Sequence, residues 1–126
     1  MTDYIKTYIV ATPSGKPVRW LGGSLRTVRD FPDEARQIAG FQLWQVQQGM
    51  TPSDWKPMPS VGVGVREIRI RVGRAFRVIY TARFAEAVYV LHAFEKRGQK
   101  APRADLQLAR VRFRRLQSER DQGRTP

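Results

Sequence analysis

Three side chains that could act on a phosphodiester alternate within one apolar segment near residue 90. His92, Phe94 and Lys96 are two residues apart, as are Val88 and Val90 before them, so in a β-strand all five project from one face. A histidine can move a proton near neutral pH, a lysine can offset developing negative charge, and an aromatic ring can stack an unpaired base. These are the groups that a ribonuclease without a metal needs, because RNA supplies its own 2′-hydroxyl nucleophile. The alternative is that His92, the only histidine, is a buried structural residue.

A second set of candidate residues is the group of arginines on the two strands predicted before this segment. Residues 66–83 contain six basic residues and one acidic residue. Strand alternation places Glu67, Arg69, Arg71, Arg77 and Arg83 on the polar face and leaves Arg66 at the end of the apolar one. Cations on adjacent strands repel each other, so this face predicts a phosphate-binding surface. The alternative is a solvated face on which Glu67 pairs with Arg69 or Arg77.

A lysine outside these strands is a further candidate for an RNA contact. Lys56 lies in a segment with three prolines and two glycines, residues 51–64, which is predicted to be a loop. A solvated loop lysine explains this position equally well. The three tryptophans are expected in the core or between helices rather than as platforms for bases.

The composition narrows the class of protein further. The chain has 126 residues, enough for one domain, and a net charge of +12 that is carried mainly by arginine. Such a surface favours nucleic acid or an acidic protein as partner. The absence of cysteine excludes disulfides and thiol catalysis, and a single histidine disfavours a zinc site, so no cofactor is predicted. No apolar run approaches the roughly 18 residues of a membrane span, and no signal peptide is recognisable, so a cytoplasmic location is predicted.

The elements that must position these residues follow from periodicity and from proline and glycine. We predict an α+β fold: a small antiparallel sheet made of a three-strand meander and an N-terminal strand, with helices packed on one face and a basic C-terminal helix. The predicted strands are residues 16–21, 65–72, 75–83 and 87–96, and the helical regions are residues 24–49 and those after Pro102. Residues 16–117 are predicted to be the single domain, and residues 118–126 a flexible tail. Residues 1–15 are predicted to be an N-terminal extension, in which Tyr4–Val10 could add an edge strand.

Three segments of the chain form a recognisable series: REIR at 66–69, FRVIY at 76–80 and LHAFEKRGQKAP at 91–102. They resemble the RelE/ParE superfamily of bacterial toxins, and most closely its HigB-like, phage-associated branch. That branch typically has Trp-Glu-Leu-Arg, then Tyr-Arg-Val-Leu-Tyr, then Leu-His-Gly-Phe-x-Lys-Lys-x-x-Lys-x-Pro. Here Arg66 replaces an aromatic residue, Ala93 a glycine and Arg97 a lysine. The resemblance extends over roughly residues 16–117.

The resemblance implies a RelE-like fold and a role as the toxin of a type II toxin-antitoxin system. Such a toxin is a metal-independent endoribonuclease that cleaves mRNA on the ribosome, and its co-encoded antitoxin is often a helix-turn-helix protein. No membrane partner is implied. The catalytic residues would be Arg69 and Arg77 on the scissile phosphate, His92 as general acid or base, and Lys96 in a supporting role. Lys100 would be a contact with the RNA backbone. The other predicted RNA contacts, Lys56, Arg66, Arg71 and Phe94, rest on the residue pattern.

Two other functions stay open for this sequence. Some members of the superfamily inhibit DNA gyrase and lack nuclease chemistry, so a gyrase-inhibiting, ParE-like toxin is the first alternative. A non-catalytic, phage-derived nucleic-acid-binding protein is the second. Clustered cations beside a histidine favour the nuclease.

Overall fold

One mixed sheet of five strands organises the part of the chain that the computed structural model describes, residues 15–123. The elements in chain order are β1 (Val18–Trp20), α1 (Ser24–Arg29), α2 (Asp33–Gln47), β2 (Trp55–Pro57), β3 (Val65–Val72), β4 (Arg74–Thr81), β5 (Val88–Lys96) and α3 (Arg103–Asp121). The strand order is β1-β5-β4-β3-β2. β1 runs parallel to β5, and the other neighbours are antiparallel. The predicted strand at Tyr4–Val10 and the last three residues of the predicted tail lie outside the described residues.

The helices α1 and α2 cover one face of the sheet, as the apolar pattern predicted. Ala35, Ala39 and Leu43 recur at helical spacing along α2 and are fully buried against apolar residues of β3, β4 and β5. α2 ends at Gln47, and Gly49 adopts a φ of 84° that favours glycine. The α+β class and the RelE-like arrangement are therefore confirmed.

The helix α3 lies against the opposite face of the sheet. Ala109, Phe113 and Leu116 are buried there together with residues of β5 and of the segment before β3. The helix runs through Asp121, so residues 118–121 of the predicted tail are helical. Its last turn is fixed by Arg120, whose hydrogen bond to Glu86 measures 2.7 Å and lowers the pKa of that carboxyl to about 2. No helix within residues 15–123 is long and apolar enough to cross a membrane.

Three features of the sheet differ from the prediction. The sheet is mixed rather than antiparallel, because the N-terminal strand β1 runs parallel to β5. The segment predicted to be a loop contains β2, whose residue Trp55 pairs with Ile68 of β3. In β5 a bulge interrupts the alternation: Ile79 pairs with His92, but Tyr80 pairs with Val90, so Leu91 is an extra residue. Because of this bulge Val88 and Val90 face α1 and α2, whereas His92, Phe94 and Lys96 do not share that face. The prediction that all five share one face was wrong.

Candidate active site

A cleft of about 280 Å³ lies on the sheet face that carries α3, beside the start of that helix. Each of the strands β2 to β5 contributes a charged side chain to its lining, and α3 and the residue before it form one rim. The residues that matter for the argument are Lys56, Glu67, Arg77, Lys96, Pro102 and Leu106. The cleft therefore joins residues that are far apart in the sequence into one charged surface.

Glu67 is the central residue of the cleft. Its side chain is 5% exposed, and its Oε1 lies 3.5 Å from Nε of Arg77 and 3.9 Å from Nζ of Lys56. Burial raises the pKa of Glu67, although nearby cations, led by Lys56 and Arg77, act in the opposite direction. A carboxylate with a raised pKa is a stronger base than an exposed one, which makes Glu67 a candidate general base.

Two cations complete the inner part of the cleft. The side chain of Arg77 is 9% exposed, and its Nη1 donates to the backbone oxygen of Phe76 at 3.1 Å. Burial lowers the pKa of Arg77 and the charge of Glu67 partly restores it. Lys96 donates from Nζ to the backbone oxygen of Gly98 at 2.8 Å, which uses one of its three N–H donors. Both cations can therefore contact an anion in the cleft.

Arg69 and Arg71 share the same sheet face but bind Asp54. Nη2 of Arg69 lies 3.0 Å from Oδ1 of Asp54, and Nε of Arg71 lies 3.5 Å from Oδ2. Glu67 pairs with Arg77, as the alternative of a self-paired face predicted. This face carries five cations, and within residues 15–123 the carboxylates that pair with them are those of Asp54 and Glu67. Positive charge therefore remains in excess there; the cations are Lys56, Arg69, Arg71, Arg77 and Lys96.

His92 lies under α3 and does not line the cleft. Its Nε2 is 2.8 Å from Oδ1 of Asp105, and Nη1 of Arg112 donates to its Nδ1 at 3.3 Å. Both ring nitrogens are therefore engaged, and the side chain is only 10% exposed. Phe94 is buried beside it, with its ring stacked on the imidazole at 5.5 Å. For either residue to contact RNA, the packing under α3 would have to open.

The other predicted contacts are divided between two surfaces. Lys56 is half exposed at the edge of the cleft, and Lys100 is exposed beyond the end of β5. Arg66 lies on the opposite sheet face, with its guanidinium 4.3 Å from the centre of the Trp55 ring. Arg83, two residues after the end of β4, donates to the backbone oxygen of Val63. The structure thus brings together Lys56, Arg69, Arg71, Arg77 and Lys96, and it separates Arg66 from them.

Glu67 is the functional candidate that the sequence pattern assigned only to ion pairing. Its place on the polar face of β3 was visible from alternation, but its burial depends on neighbouring strands and on the start of α3. The signal that could have found it is a single acidic residue among six basic ones. Within residues 15–123, no three His, Asp or Glu side chains are grouped so that they could hold a metal ion.

The sheet, the helices on its two faces and the cationic cleft define a small α+β protein with a RelE-like fold. The family described as "Phage derived protein Gp49-like (DUF891)" matches residues 26–114, a range that holds all the charged residues of the cleft. The chain belongs to this phage-derived family, which is a RelE/HigB-like toxin-type family. No curated protein matches the chain.

Proposed function

We propose that this protein is the toxin of a type II toxin-antitoxin system, of the HigB-like kind, and that it cleaves mRNA on translating ribosomes. The observation that carries the proposal is the buried carboxylate of Glu67, with its raised pKa, in contact with Arg77 and Lys56. A base beside cations can deprotonate a 2′-hydroxyl and stabilise the charge that develops on the phosphoryl oxygens. Membership of a toxin-type family supports the biological role.

In the proposed reaction Glu67 takes the proton of a 2′-hydroxyl group, and that oxygen attacks the adjacent phosphorus. The bond between phosphorus and the 5′-oxygen breaks, which leaves a 2′,3′-cyclic phosphate on one fragment and a 5′-hydroxyl on the other. Lys96, which lines the cleft, donates the proton to the departing 5′-oxygen. The RNA provides the nucleophile, so no protein nucleophile takes part.

Arg77 and Lys56 stabilise the charge that develops on the phosphoryl oxygens. Both already contact the carboxylate of Glu67, so a phosphate placed above that carboxylate meets both cations. Arg77 is held by the backbone of Phe76 and by burial, and it loses little freedom when it binds. Removing one such preorganised donor typically costs about 100-fold to 1,000-fold in rate.

His92 acts in this proposal as a positioning residue. It connects β5 to Asp105 in the first turn of α3, and the same turn places Leu106 at the rim of the cleft. The imidazole therefore fixes the distance between the helix and the sheet. Arg69 and Arg71 lie outside the inner cleft and guide the RNA strand once it displaces Asp54.

Induced expression of the wild type and of Glu67→Gln tests the proposal. We expect the wild type to arrest growth and to cleave mRNA, and Glu67→Gln to do neither because the amide cannot accept the proton. Glu34→Gln, which alters an exposed carboxylate in the first turn of α2, is the matched control and should remain toxic. Circular dichroism verifies that the variants fold.

Two results would reject the proposed activity. Arrest with double-strand breaks in DNA and intact mRNA would identify a gyrase-inhibiting toxin instead. Harmless expression of the wild-type protein would favour a non-catalytic nucleic-acid-binding protein.

A further inference from the structure

A second pocket, of about 340 Å³, lies between β1 and the C-terminal half of α3. The strand and the turn after it contribute Arg19, Trp20 and Gly22, and the helix contributes Arg112, Arg115 and Glu119. None of these residues lines the cleft around Glu67. The pocket is therefore a separate site, and the proposed cleavage reaction does not use it.

The charge of this pocket is positive and only partly compensated. Nε of Arg115 lies 3.1 Å from Oε1 of Glu119, which is the single carboxylate in the lining. Among residues 15–123, no carboxylate forms an ion pair with Arg19 or Arg112. Burial lowers the pKa of Arg112, and no opposite charge offsets that effect. A partly buried cation without a counter-ion is unfavourable, and a bound anion would relieve the cost.

The guanidinium of Arg112 is held in a fixed orientation by neutral groups. Its Nη1 donates to the backbone oxygen of Leu91 at 2.9 Å and to Nδ1 of His92. It also lies directly against Gly22, where a Cβ atom would be 2.5 Å from Cζ of Arg112. Gly22 has a φ of 55°, so glycine is favoured there both by conformation and by the closeness of the arginine. Nη2 of Arg112 has no hydrogen-bond partner among the described residues and is available to a ligand.

The rest of the lining is aromatic and aliphatic. Trp20 is only partly buried, and Leu21 and Leu116 lie beside it in the same pocket. An aromatic ring next to guanidinium groups can stack a flat base while the cations bind its phosphate. The volume also lies at the small end of the range of roughly 300–1,000 Å³ for ligand sites.

We propose that this pocket binds a nucleotide, with the phosphate on Arg19, Arg112 and Arg115 and the base against Trp20. The nucleotide can be a free mononucleotide or one unit of a single-stranded RNA. The proposal goes beyond the cleavage activity and does not depend on it, because binding needs neither Glu67 nor the other residues of the cleft.

Calorimetric titration of the full chain tests the proposal. The ligands are adenosine monophosphate, adenosine, inorganic phosphate and a short adenylate oligonucleotide. We expect the monophosphate to bind at least about tenfold more tightly than adenosine or phosphate, because only it offers both groups. Tighter binding of the monophosphate than of the oligonucleotide would identify a free nucleotide as the ligand, and the reverse would identify RNA. If neither the monophosphate nor the oligonucleotide bound at millimolar concentration, the proposal would be overturned.

Three variants assign the binding to this pocket. Arg115→Ala should weaken binding of the monophosphate about tenfold, whereas Arg114→Ala, an equally charged and exposed neighbour outside the lining, should not. Glu119→Gln should strengthen binding, because it removes the carboxylate that competes with phosphate for Arg115. Equal weakening by Arg114→Ala and Arg115→Ala, or weaker binding by Glu119→Gln, would contradict the assignment.

The same titration with Lys56→Gln, which removes one of the cations proposed to hold phosphate in the cleft, separates this proposal from the proposed cleavage. Unchanged affinity would place the nucleotide outside the cleft, whether or not the protein cleaves RNA. Loss of binding would place it in the cleft and overturn the second site. Binding of a glutamate-rich peptide that the monophosphate does not displace would identify a protein-docking surface instead and would equally overturn the nucleotide proposal.

Discussion

The chemistry of Glu67 depends on where its carboxyl group lies. The same side chain on an open sheet face would be an ordinary partner of arginine, but here burial raises its pKa. Above pH 4.5 there is therefore a range in which Glu67 is still protonated in the folded state but already ionised in the unfolded chain. The contribution of this carboxyl group to stability falls as the pH rises through that range and is constant above it.

We predict that the stability of the wild type relative to Glu67→Gln falls as the pH rises above about 4.5. The amide does not titrate, so the difference between the two proteins isolates the carboxyl group. Urea unfolding of both proteins between mildly acidic and neutral pH measures it. A difference that stayed constant or rose with pH would show that the cations outweigh burial.

His92 provides a second test at the scale of single residues. His92→Ala should lower the activity strongly because the link from β5 to Asp105 is lost. His92→Gln places an amide N–H donor near the position of Nε2, so a positioning role predicts that this variant regains much of the activity. Cleavage rates of the two variants decide the question. Equal loss in both would instead assign proton transfer to His92, as the sequence pattern predicted.

The types of the charged residues in the cleft were predictable, but their partners were not. Alternation along β3 and β4 placed Arg69, Arg71 and Arg77 on one face, and the structure agrees. The ion pair between Arg69 and Asp54 links residues 15 positions apart, and sequence periodicity contains no information on that pairing. The two hydrogen-bond partners of the His92 ring come from α3, so these hydrogen bonds also depend on tertiary packing.

At the scale of elements, the position of α3 against the sheet depends on a close approach near residue 62. A Cβ atom on Gly62 would lie 2.2 Å from Cε2 of Phe113, a buried ring on the inner side of the helix. The ring would have to move, and the helix with it.

Gly62→Ala should therefore reduce the free energy of unfolding by about 1–3 kcal/mol, a cost typical of overpacking. Gly23→Ala is the matched control, because nothing lies within 4 Å of a Cβ atom there. Chemical denaturation of both variants gives the comparison. Equal stability of the two variants would mean that the ring of Phe113 adjusts freely.

The meander and the amphipathic stripes of α2 and α3 followed from periodicity, whereas β2 and the bulge did not. β2 has three residues and contains Pro57, so it carries the signals of a loop. The bulge at Leu91 lies where β5 is apolar on both faces. Because polar and apolar residues do not alternate there, the sequence gives no sign that the side chains change faces. The sequence therefore did not predict a strand as short as β2 or a bulge in a strand as uniformly apolar as β5.

At the scale of the whole molecule, the net charge of +12 indicates the chemistry of the partners. The proposed toxin function implies an inhibitor that complements this charge. We predict that a neighbouring gene encodes a small acidic protein, often of the helix-turn-helix type, and that its co-expression prevents growth arrest. Growth curves with and without the neighbour measure the effect. An unaltered arrest would exclude that neighbour as the antitoxin.

The most direct test of the central claim is to map RNA 5′ ends after induction of the wild type and of Glu67→Gln. Attack by a 2′-hydroxyl leaves a 5′-hydroxyl on the downstream fragment, so a protocol selective for such ends reports the proposed chemistry. We predict new 5′-hydroxyl ends within translated regions for the wild type and none for Glu67→Gln. New ends that are equally abundant in both, or 5′-phosphate ends alone, would contradict the account.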